Sequence, residues 1–211
     1  MVGGGRNKED DMKLILGTAN FGQEYRGVLV PRSEQKKIWS LCRARCIDTV
    51  DTSTAYGQMI IPYDFKVIRK IVKGDRLQLG YYKTLIHHRE DYGLFSHFNY
   101  GIDGISIYKP EDLLGLDLNM MNLIQLPINK GDMKLNGDRW VNSWSNWLKE
   151  LKQHEIEIHA RSIFGGREFI SQFGLNGCMQ YVKSIPEVDG IVVGVENCDQ
   201  LEEIIEVYNA L

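Results

Sequence analysis

Side chains that can together deliver a proton to a carbonyl oxygen lie in one short stretch of the chain. Asp51 and Tyr56 belong to the segment DTSTAYG, and Lys83, His87 and His88 follow. A tyrosine hydroxyl, with a pKa of about 10, donates a proton near neutral pH when a neighbouring ammonium favours its phenolate. A carboxylate keeps that ammonium charged and in place, and an imidazole can orient the carbonyl oxygen. The set therefore predicts a site that reduces a carbonyl group.

The spacing of Lys83 and the histidines constrains this prediction. A strand rises about 3.3 Å per residue, so Lys83 and His87 on one strand would be about 13 Å apart. Unless the chain bends at Thr84 or Leu85, one of the two is out of position. Adjacent residues of a strand point in opposite directions, so only one of His87 and His88 can face the site.

Short apolar segments alternate with amphipathic ones from Met12 to the C-terminus. Most strand candidates are apolar on both faces, which is typical of a parallel sheet covered by helices. They are residues 14–17, 46–51, 77–82, 85–87, 104–107, 123–128, 156–161 and 190–195. The helix candidates are a run capped by Ser33, residues 62–72, 110–116 and 200–211, and a stripe of Trp140, Trp144, Trp147 and Leu148.

This alternation predicts an α/β fold, either a (β/α)8 barrel or an open doubly wound sheet. The open sheet would normally carry a G-x-G-x-x-G turn, and the sequence has none, so we predict a TIM-type barrel. Residues 12–211 would form this single domain, and residues 1–11 a disordered lead-in. Such barrels usually need about 250 residues. We therefore expect a truncated or distorted barrel, with one βα unit missing or collapsed between residues 77 and 104.

Two long segments resemble a known family. KLILGTANFGQEYRGV and IDTVDTSTAYG are similar to the N-terminal signature of the aldo-keto reductases, in particular a bacterial branch that begins LGTAQFG and is linked to polysaccharide or sugar-nucleotide pathways. GISIYKPEDL, NLIQLPIN, EIHARSIFGG and VDGIVVGVENCDQLEEII resemble the family's fifth to eighth strands with their loops. The resemblance covers nearly all of the chain except residues 58–100.

The resemblance implies roles for individual residues. Tyr56 would be the general acid, Lys83 the neighbour that lowers its pKa, Asp51 the partner of that lysine, and His87 or His88 the group that orients the substrate. The family transfers a hydride from NADPH to an aldehyde or ketone and needs no metal. The residues expected to bind the cofactor are Ser106 and Gln125 at the nicotinamide and Ser162, Gly165, Gly194, Asn197 and Gln200 along the phosphates and adenosine.

The chain departs from the family pattern at two places. Family members usually carry a glutamate shortly after the YG pair, where this chain has QMIIPYDF. The loop GVENCDQ lacks an arginine or lysine that would bind a 2'-phosphate, although Arg161 and Arg167 are nearby in sequence. This loop therefore does not support a preference for NADPH. The resemblance still implies NADPH as the cofactor, with NADH as the alternative.

Composition excludes several other classes of partner. Twenty-five basic against 28 acidic residues give a net charge of -3, so no basic surplus indicates nucleic acid or an anionic membrane. The longest apolar runs are too short to span a bilayer, and the first eleven residues contain no signal peptide. Four cysteines without a CxxC pair are typical of a reduced, cytoplasmic protein without structural zinc.

Three functions remain open from the sequence. The first is the reduction of a small carbonyl compound, with a sugar-derived one among the candidates. The second is a non-catalytic binding or scaffold protein that has lost part of the barrel and pairs with another copy through the exposed gap. The third keeps the barrel but performs isomerase or lyase chemistry on a sugar.

Overall fold

The structure, a computed structural model, describes residues 12–72, 81–87, 102–136 and 139–211. Residues 132–136 and 139–142 are described by their backbone alone. The predicted lead-in of residues 1–11 and the candidate His88 lie outside the described residues.

Eight parallel strands close into a barrel, as predicted. Its first strand pairs with the last one, with Lys13 opposite Gly190 and Gly17 opposite Gly194, and this pairing closes the ring. Around the barrel the strands are β1 (Lys13–Gly17), β2 (Thr49–Ser53), β3 (Lys66–Ile71), β4 (Lys83–Ile86), β5 (Gly104–Ser106), β6 (Leu123–Pro127), β9 (Glu157–Arg161) and β10 (Gly190–Gly194). An antiparallel pair outside the barrel, β7 (Met133–Asn136) with β8 (Arg139–Asn142), extends the connection between β6 and β9.

Among the described residues, the barrel has all eight strands but few surrounding α-helices. The described residues contain four α-helices: α1 (Arg32–Ala44), α2 (Ser145–Gln153), α3 (Glu168–Lys183) and α4 (Cys198–Ala210). Short 3-10 turns, not α-helices, follow β2 and β5, so the predicted helix at 110–116 is a 3-10 turn over Pro110–Leu113. Most of the interval 77–104, where the sequence predicts the loss of a βα unit, lies outside the described residues.

One predicted helix is wrong and changes the site. Residues 62–72 were expected to be helical because Phe65, Ile68 and Ile71 recur at a helical spacing, yet Lys66–Ile71 is strand β3. Ile68 packs inside the barrel and Ile71 packs in the outer core, so the two isoleucines face opposite sides of one strand. The spacing therefore came from two buried faces rather than from one helical face.

Two other predicted elements shift. The strand expected at 85–87 is β4, which begins at Lys83 and ends at Ile86. Of the strand expected at 77–82, residues 77–80 lie outside the described part of the chain, and residues 81 and 82 are not in a strand. The tryptophan stripe divides, since Trp140 belongs to β8 while Trp147 and Leu148 lie on α2. Trp144 is buried just before α2, and its indole Nε1 donates to the Pro127 oxygen over 2.9 Å.

The barrel interior is layered. Its middle is an apolar cluster of residues from β1, β3, β4, β6 and β10, namely Ile15, Ile68, Leu85, Leu123 and Val192. A second and larger core fills the space between the strands and the helices. Among the described residues, no helix is long and apolar enough to cross a bilayer.

Charged side chains lie at the amino end of the barrel interior, around Glu157 on β9. Its Oε1 accepts from His159 Nε2 over 2.8 Å and from Lys13 Nζ over 3.3 Å, and its Oε2 accepts from Lys83. Burial raises the pKa of Glu157, but the hydrogen bonds from His159 and Lys83 outweigh burial and hold the pKa well below its usual range. Glu157 is therefore ionised and joins β1, β4 and β9 at this end.

We predict that Glu157→Gln lowers the free energy of unfolding near neutral pH by about 1.5–3 kcal/mol, the usual worth of hydrogen bonds to charged groups. Because the folded pKa of Glu157 lies below the ordinary value of 4.5, this stabilisation is present above that pH and is lost as the pH falls below it. The difference in the free energy of unfolding between wild type and variant should therefore become smaller at acidic pH. Denaturant unfolding at a series of pH values measures it.

Lys13→Gln is the matched control, because Lys13 bonds the same carboxylate from a half-exposed position. This variant should lower the free energy of unfolding by less than about 1 kcal/mol, because exposed ion pairs contribute no more than that. Equal losses in the two variants would contradict the role assigned to Glu157.

Candidate active site

A buried carboxylate on β2 forms the centre of the candidate site at the carboxyl end of the barrel. Asp51 Oδ1 accepts from Lys70 Nζ on β3 over 2.5 Å, and Asp51 Oδ2 accepts from Gln125 Nε2 on β6 over 2.7 Å. Gln125 Oε1 lies 3.5 Å from Lys70 Nζ, which closes a triangle of polar groups. All three side chains are almost completely buried, so each satisfies groups that water cannot reach.

The lysine beside Asp51 is Lys70, not Lys83. Lys83 begins β4 at the amino end of the barrel, where its ammonium bonds Glu157. The expected placement of Lys83 next to Tyr56 is therefore not what the structure shows. His87 follows the last residue of the same strand and lies at the carboxyl end. The estimated separation of about 13 Å thus corresponds to the two ends of one strand.

A short 3-10 turn after β2 positions Tyr56. Ser53 Oγ caps this turn, Thr54–Tyr56, by accepting from the Ala55 amide over 3.2 Å. Gly57 follows with φ of 72° and bridges to Gly22 in the loop after β1. A Cβ on Gly57 would lie 2.4 Å from the Gly22 oxygen, so only glycine permits both this turn and the close contact.

Tyr56 lies between the lysine and the histidine. Lys70 Nζ is 5.3 Å from the centre of the Tyr56 ring. The His87 ring stands at 90° to the Tyr56 ring with their centres 6.0 Å apart, and His87 Nδ1 shares a 3.1 Å hydrogen bond with Ser53 Oγ. The fold therefore brings Asp51, Tyr56 and His87 of the predicted set together, with Lys70 as the cation.

Burial and charge act in opposite directions on Tyr56. Burial raises the pKa of Tyr56, the Lys70 ammonium lowers it, and the net shift is upward. Burial lowers the pKa of Lys70, but the Asp51 carboxylate outweighs burial and the net shift is again upward. At neutral pH the site therefore holds a charged lysine and a protonated tyrosine, which is the state a proton donor needs.

A cleft of about 1010 Å³ opens above these residues. Three of the residues predicted to bind a cofactor, Ser162, Gly194 and Gln200, line it. Gly165 is adjacent to Gly166, which also lines the cleft. At Gly194 an added Cβ would meet no atom within 4 Å, so the cleft is open directly over the end of β10.

The remaining predicted cofactor residues have partners within the protein. Ser106 Oγ accepts from Arg161 Nε over 3.1 Å, and Gln125 bonds Asp51 as described. Asn197 Oδ1 caps α4 by accepting from the Gln200 amide over 2.9 Å, and Gln200 Oε1 accepts from the Glu196 amide over 2.9 Å. Asn197 and Gln200 thereby fix the start of α4 beside the cleft.

The loop after β9 has an unusual backbone. Ser162, Gly165, Gly166 and Arg167 all have φ between 56° and 86°, and the Gly165 and Arg167 amides close the loop by donating to the Ser162 and Phe164 oxygens. Arg26 reaches the same loop from the turn after β1, and its Nη1 donates to the Gly165 oxygen over 3.3 Å. Arg167 forms an ion pair with Glu196.

Two charged residues of the site, Lys70 and Arg161, were not predicted from the sequence as site residues. Lys70 was assigned to a helix, although the alternation of buried Ile68 and Lys70 on β3 is the signal that places it inside the barrel. Arg161 was noted only as a possible phosphate contact, yet it ends β9 and its guanidinium lies 4.2 Å from the Tyr108 ring centre at the cleft.

Solved structures of two proteins share this fold. A candidate aldo-keto reductase from Pseudomonas aeruginosa, represented by two structures, is 16% identical with a TM-score of 0.69 over 95% of this chain and 90% of that chain. An aldo-keto reductase from Bacillus halodurans, in its holo form, is 12% identical with a TM-score of 0.62 over 94% of this chain and 87% of that chain. At these identities the likeness establishes the fold. No protein-family model matches the chain, and no curated protein matches it.

We predict that Lys70→Met lowers the free energy of unfolding by about 3–5 kcal/mol, because it leaves the Asp51 carboxylate buried without a counter-ion. It should also raise the pKa of Tyr56 further, since the cation that opposes burial is gone. Denaturant unfolding and the absorbance of tyrosinate during alkaline titration, each compared with Tyr56→Phe, measure the two effects.

Lys83→Met is the control, since it removes a lysine from the other end of the barrel. The Lys83→Met variant should leave the pKa of Tyr56 unchanged. Lys70→Arg keeps the charge and tests the assignment if Lys70→Met does not fold. A shift of the Tyr56 titration in Lys83→Met as large as in the Lys70 variants would contradict the assignment.

Proposed function

We propose that this chain reduces an aldehyde or ketone with NADPH or NADH, using Tyr56 as the proton donor. The observation that carries the proposal is the Asp51–Lys70 ion pair beneath Tyr56, with His87 at the ring edge, at the carboxyl end of a parallel barrel. Active sites of TIM barrels lie at this end. The structural likeness to aldo-keto reductases supports the same assignment.

The cleft fits a dinucleotide. Its volume of about 1010 Å³ is at the upper end of the range of roughly 300–1,000 Å³ typical of small-molecule and cofactor sites. The left-handed loop after β9, with Arg26 and Arg167, would hold the phosphates, and the start of α4 would border the adenosine. When bound, the nicotinamide supplies the hydride that adds to the carbonyl carbon.

The residues of the chain then supply the proton and hold the carbonyl oxygen. His87 and Tyr56 would donate hydrogen bonds to that oxygen, and the Tyr56 proton passes to it as the carbon gains the hydride, which yields an alcohol. The Lys70 ammonium stabilises the tyrosinate left behind, and Asp51 and Gln125 keep the ammonium in place. Tyr56 regains its proton from water. Small, sugar-derived carbonyl compounds are the proposed substrates.

The cofactor and the cellular location follow from the same assignment. NADPH is the preferred donor in this proposal because Arg26 and Arg167 line the cleft, and arginine binds phosphates well. All four cysteines are free, which fits the reducing cytoplasm.

One observation favours the non-catalytic alternative. Ser106 and Gln125, expected to contact the nicotinamide, bond Arg161 and Asp51 instead. Pairing of two copies through a gap in the barrel has less support, because the eight strands form a closed ring without an open edge. A binding protein of this fold would use the cleft rather than a strand edge.

We expect Tyr56→Phe to lower kcat for carbonyl reduction by about 10²- to 10⁴-fold, the usual contribution of a general acid. Tyr63→Phe is the control, since Tyr63 is fully exposed. Because the pKa of Tyr56 lies above 10, wild-type reduction should stay level from neutral pH to about pH 10 and fall above it. Initial rates with a panel of aldehydes measure both effects, and a fully active Tyr56→Phe variant would refute the proposed role.

We expect both cofactors to quench tryptophan fluorescence on binding, NADPH at lower concentration than NADH. Gly194→Leu should weaken the binding of both cofactors by about tenfold or more, equivalent to about 1.4 kcal/mol. The leucine side chain would extend into the open cleft, where an added Cβ meets no protein atom, and would occupy space that the cofactor needs. Asn209→Leu, on the exposed end of α4, is the control. Absence of binding by either nucleotide to the wild type would favour the non-catalytic alternative.

A further inference from the structure

Arg161 is a partly buried cation at the cleft, and its hydrogen-bond partners are all neutral. Its Nε donates to Ser106 Oγ over 3.1 Å, its Nη2 to the Ile107 oxygen over 2.7 Å, and its Nη1 to Ser162 Oγ over 3.3 Å. Among the residues that the structure describes, no carboxylate forms an ion pair with it. A buried charge without a counter-ion is unfavourable.

The electrostatics of the cleft agree with this assessment. Burial lowers the pKa of Arg161, and the acidic groups that oppose it are the phenols Tyr108, Tyr56 and Tyr25 and the Asp51 carboxylate. Asp51 is already neutralised by Lys70. The inner part of the cleft therefore carries one uncompensated positive charge, on Arg161.

The other acidic side chains at the cleft do not supply the missing anion. Glu196 pairs with Arg167, and Glu203 lies on α4 with an exposed side chain. The loop after β9 and Arg26 are assigned to the phosphates of the cofactor in the proposed function. Arg161 instead ends β9 and lines the same cleft as Tyr56 and Lys70, so an anion bound to it would share the cleft with the reacting carbonyl.

We propose that Arg161 binds an anionic group of the substrate, so that the chain selects carbonyl compounds bearing a carboxylate or a phosphate ester. This inference rests on the proposed function and adds the substrate class to it. Nη1 makes the longest of the three hydrogen bonds, and turning it from Ser162 to the ligand would exchange a neutral acceptor for a charged one. Arginine is suited to this task, because its planar fork pairs with carboxylate and phosphate oxygens.

Matched substrates test the proposal through a ratio. The kcat/KM values of 4-oxobutanoate and butanal are compared, as are those of glyceraldehyde 3-phosphate and glyceraldehyde. The anionic member of at least one pair should be favoured by roughly 10- to 100-fold, since hydrogen bonds to charged groups have this worth. Whether the carboxylate or the phosphate pair shows the larger ratio identifies the anion.

Arg161→Gln should reduce the favoured ratio to within about threefold of one, and Arg161→Lys, which keeps the charge but loses the fork, should give an intermediate ratio. Arg32→Gln removes a positive charge from the exposed start of α1 and should leave the ratio unchanged. Wild-type ratios near one, or an anionic preference that survives in Arg161→Gln, would overturn the proposal.

A binding measurement separates this inference from the proposed reductase activity. Calorimetric titration with succinate should show binding to the wild type that is absent with butane-1,4-diol and lost in Arg161→Gln. If the protein reduces none of the aldehydes yet binds succinate in this way, the anion site stands and the reductase function fails. If the protein reduces the anionic and neutral aldehydes with equal kcat/KM and does not bind succinate, the reductase function stands and the anion site fails.

Discussion

The Asp51–Lys70 ion pair is the interaction on which the rest of the site depends. Both groups lie inside the barrel, where removing two charges from water costs several kcal/mol per ion unless their geometry and further hydrogen bonds compensate. Gln125 supplies the further bond and links β6 to β2 and β3. The pair thereby fixes the ammonium beneath Tyr56, so a change that removes either charge alters the electrostatic environment of the phenol.

Charge inside the barrel is divided between two ends by an apolar layer. At the amino end, Glu157 is surrounded by Lys83, His159 and Lys13, and the two lysines join β4 and β1 to β9. At the carboxyl end, the charges border an open cleft. The first group resembles a structural network, whereas the second has the exposure and the protonation states that chemistry requires. This division follows the general separation of stability and activity between the two ends of such barrels.

The sequence predicted the barrel, and the structure brings Asp51, Tyr56 and His87 of the expected set together. The lysine beside them is Lys70 rather than the expected Lys83. Asp51 and Tyr56 could be predicted from the sequence because a strand followed by a turn has a clear pattern. Lys70 was not predicted as a site residue, because Ile68 and Ile71 are buried on opposite sides of β3 and their spacing is that of a helix. The spacing of Lys83 and His87 already implied that one of them was misplaced. Only the register of β4 shows that it is Lys83.

Arg161 is the observation that favours a ligand-binding role for the carboxyl end of the barrel. A network kept for stability alone would favour a neutral side chain at the end of β9, since burying an unpaired guanidinium is unfavourable. The chain instead keeps the cation, supports it with Ser106, Ile107 and Ser162, and stacks it on Tyr108. Proteins tolerate such local costs mainly at functional sites. The Ser106 bond leaves the charge of Arg161 without a counter-ion among the described residues, and an anionic ligand would complete the charge balance whether or not the site is catalytic.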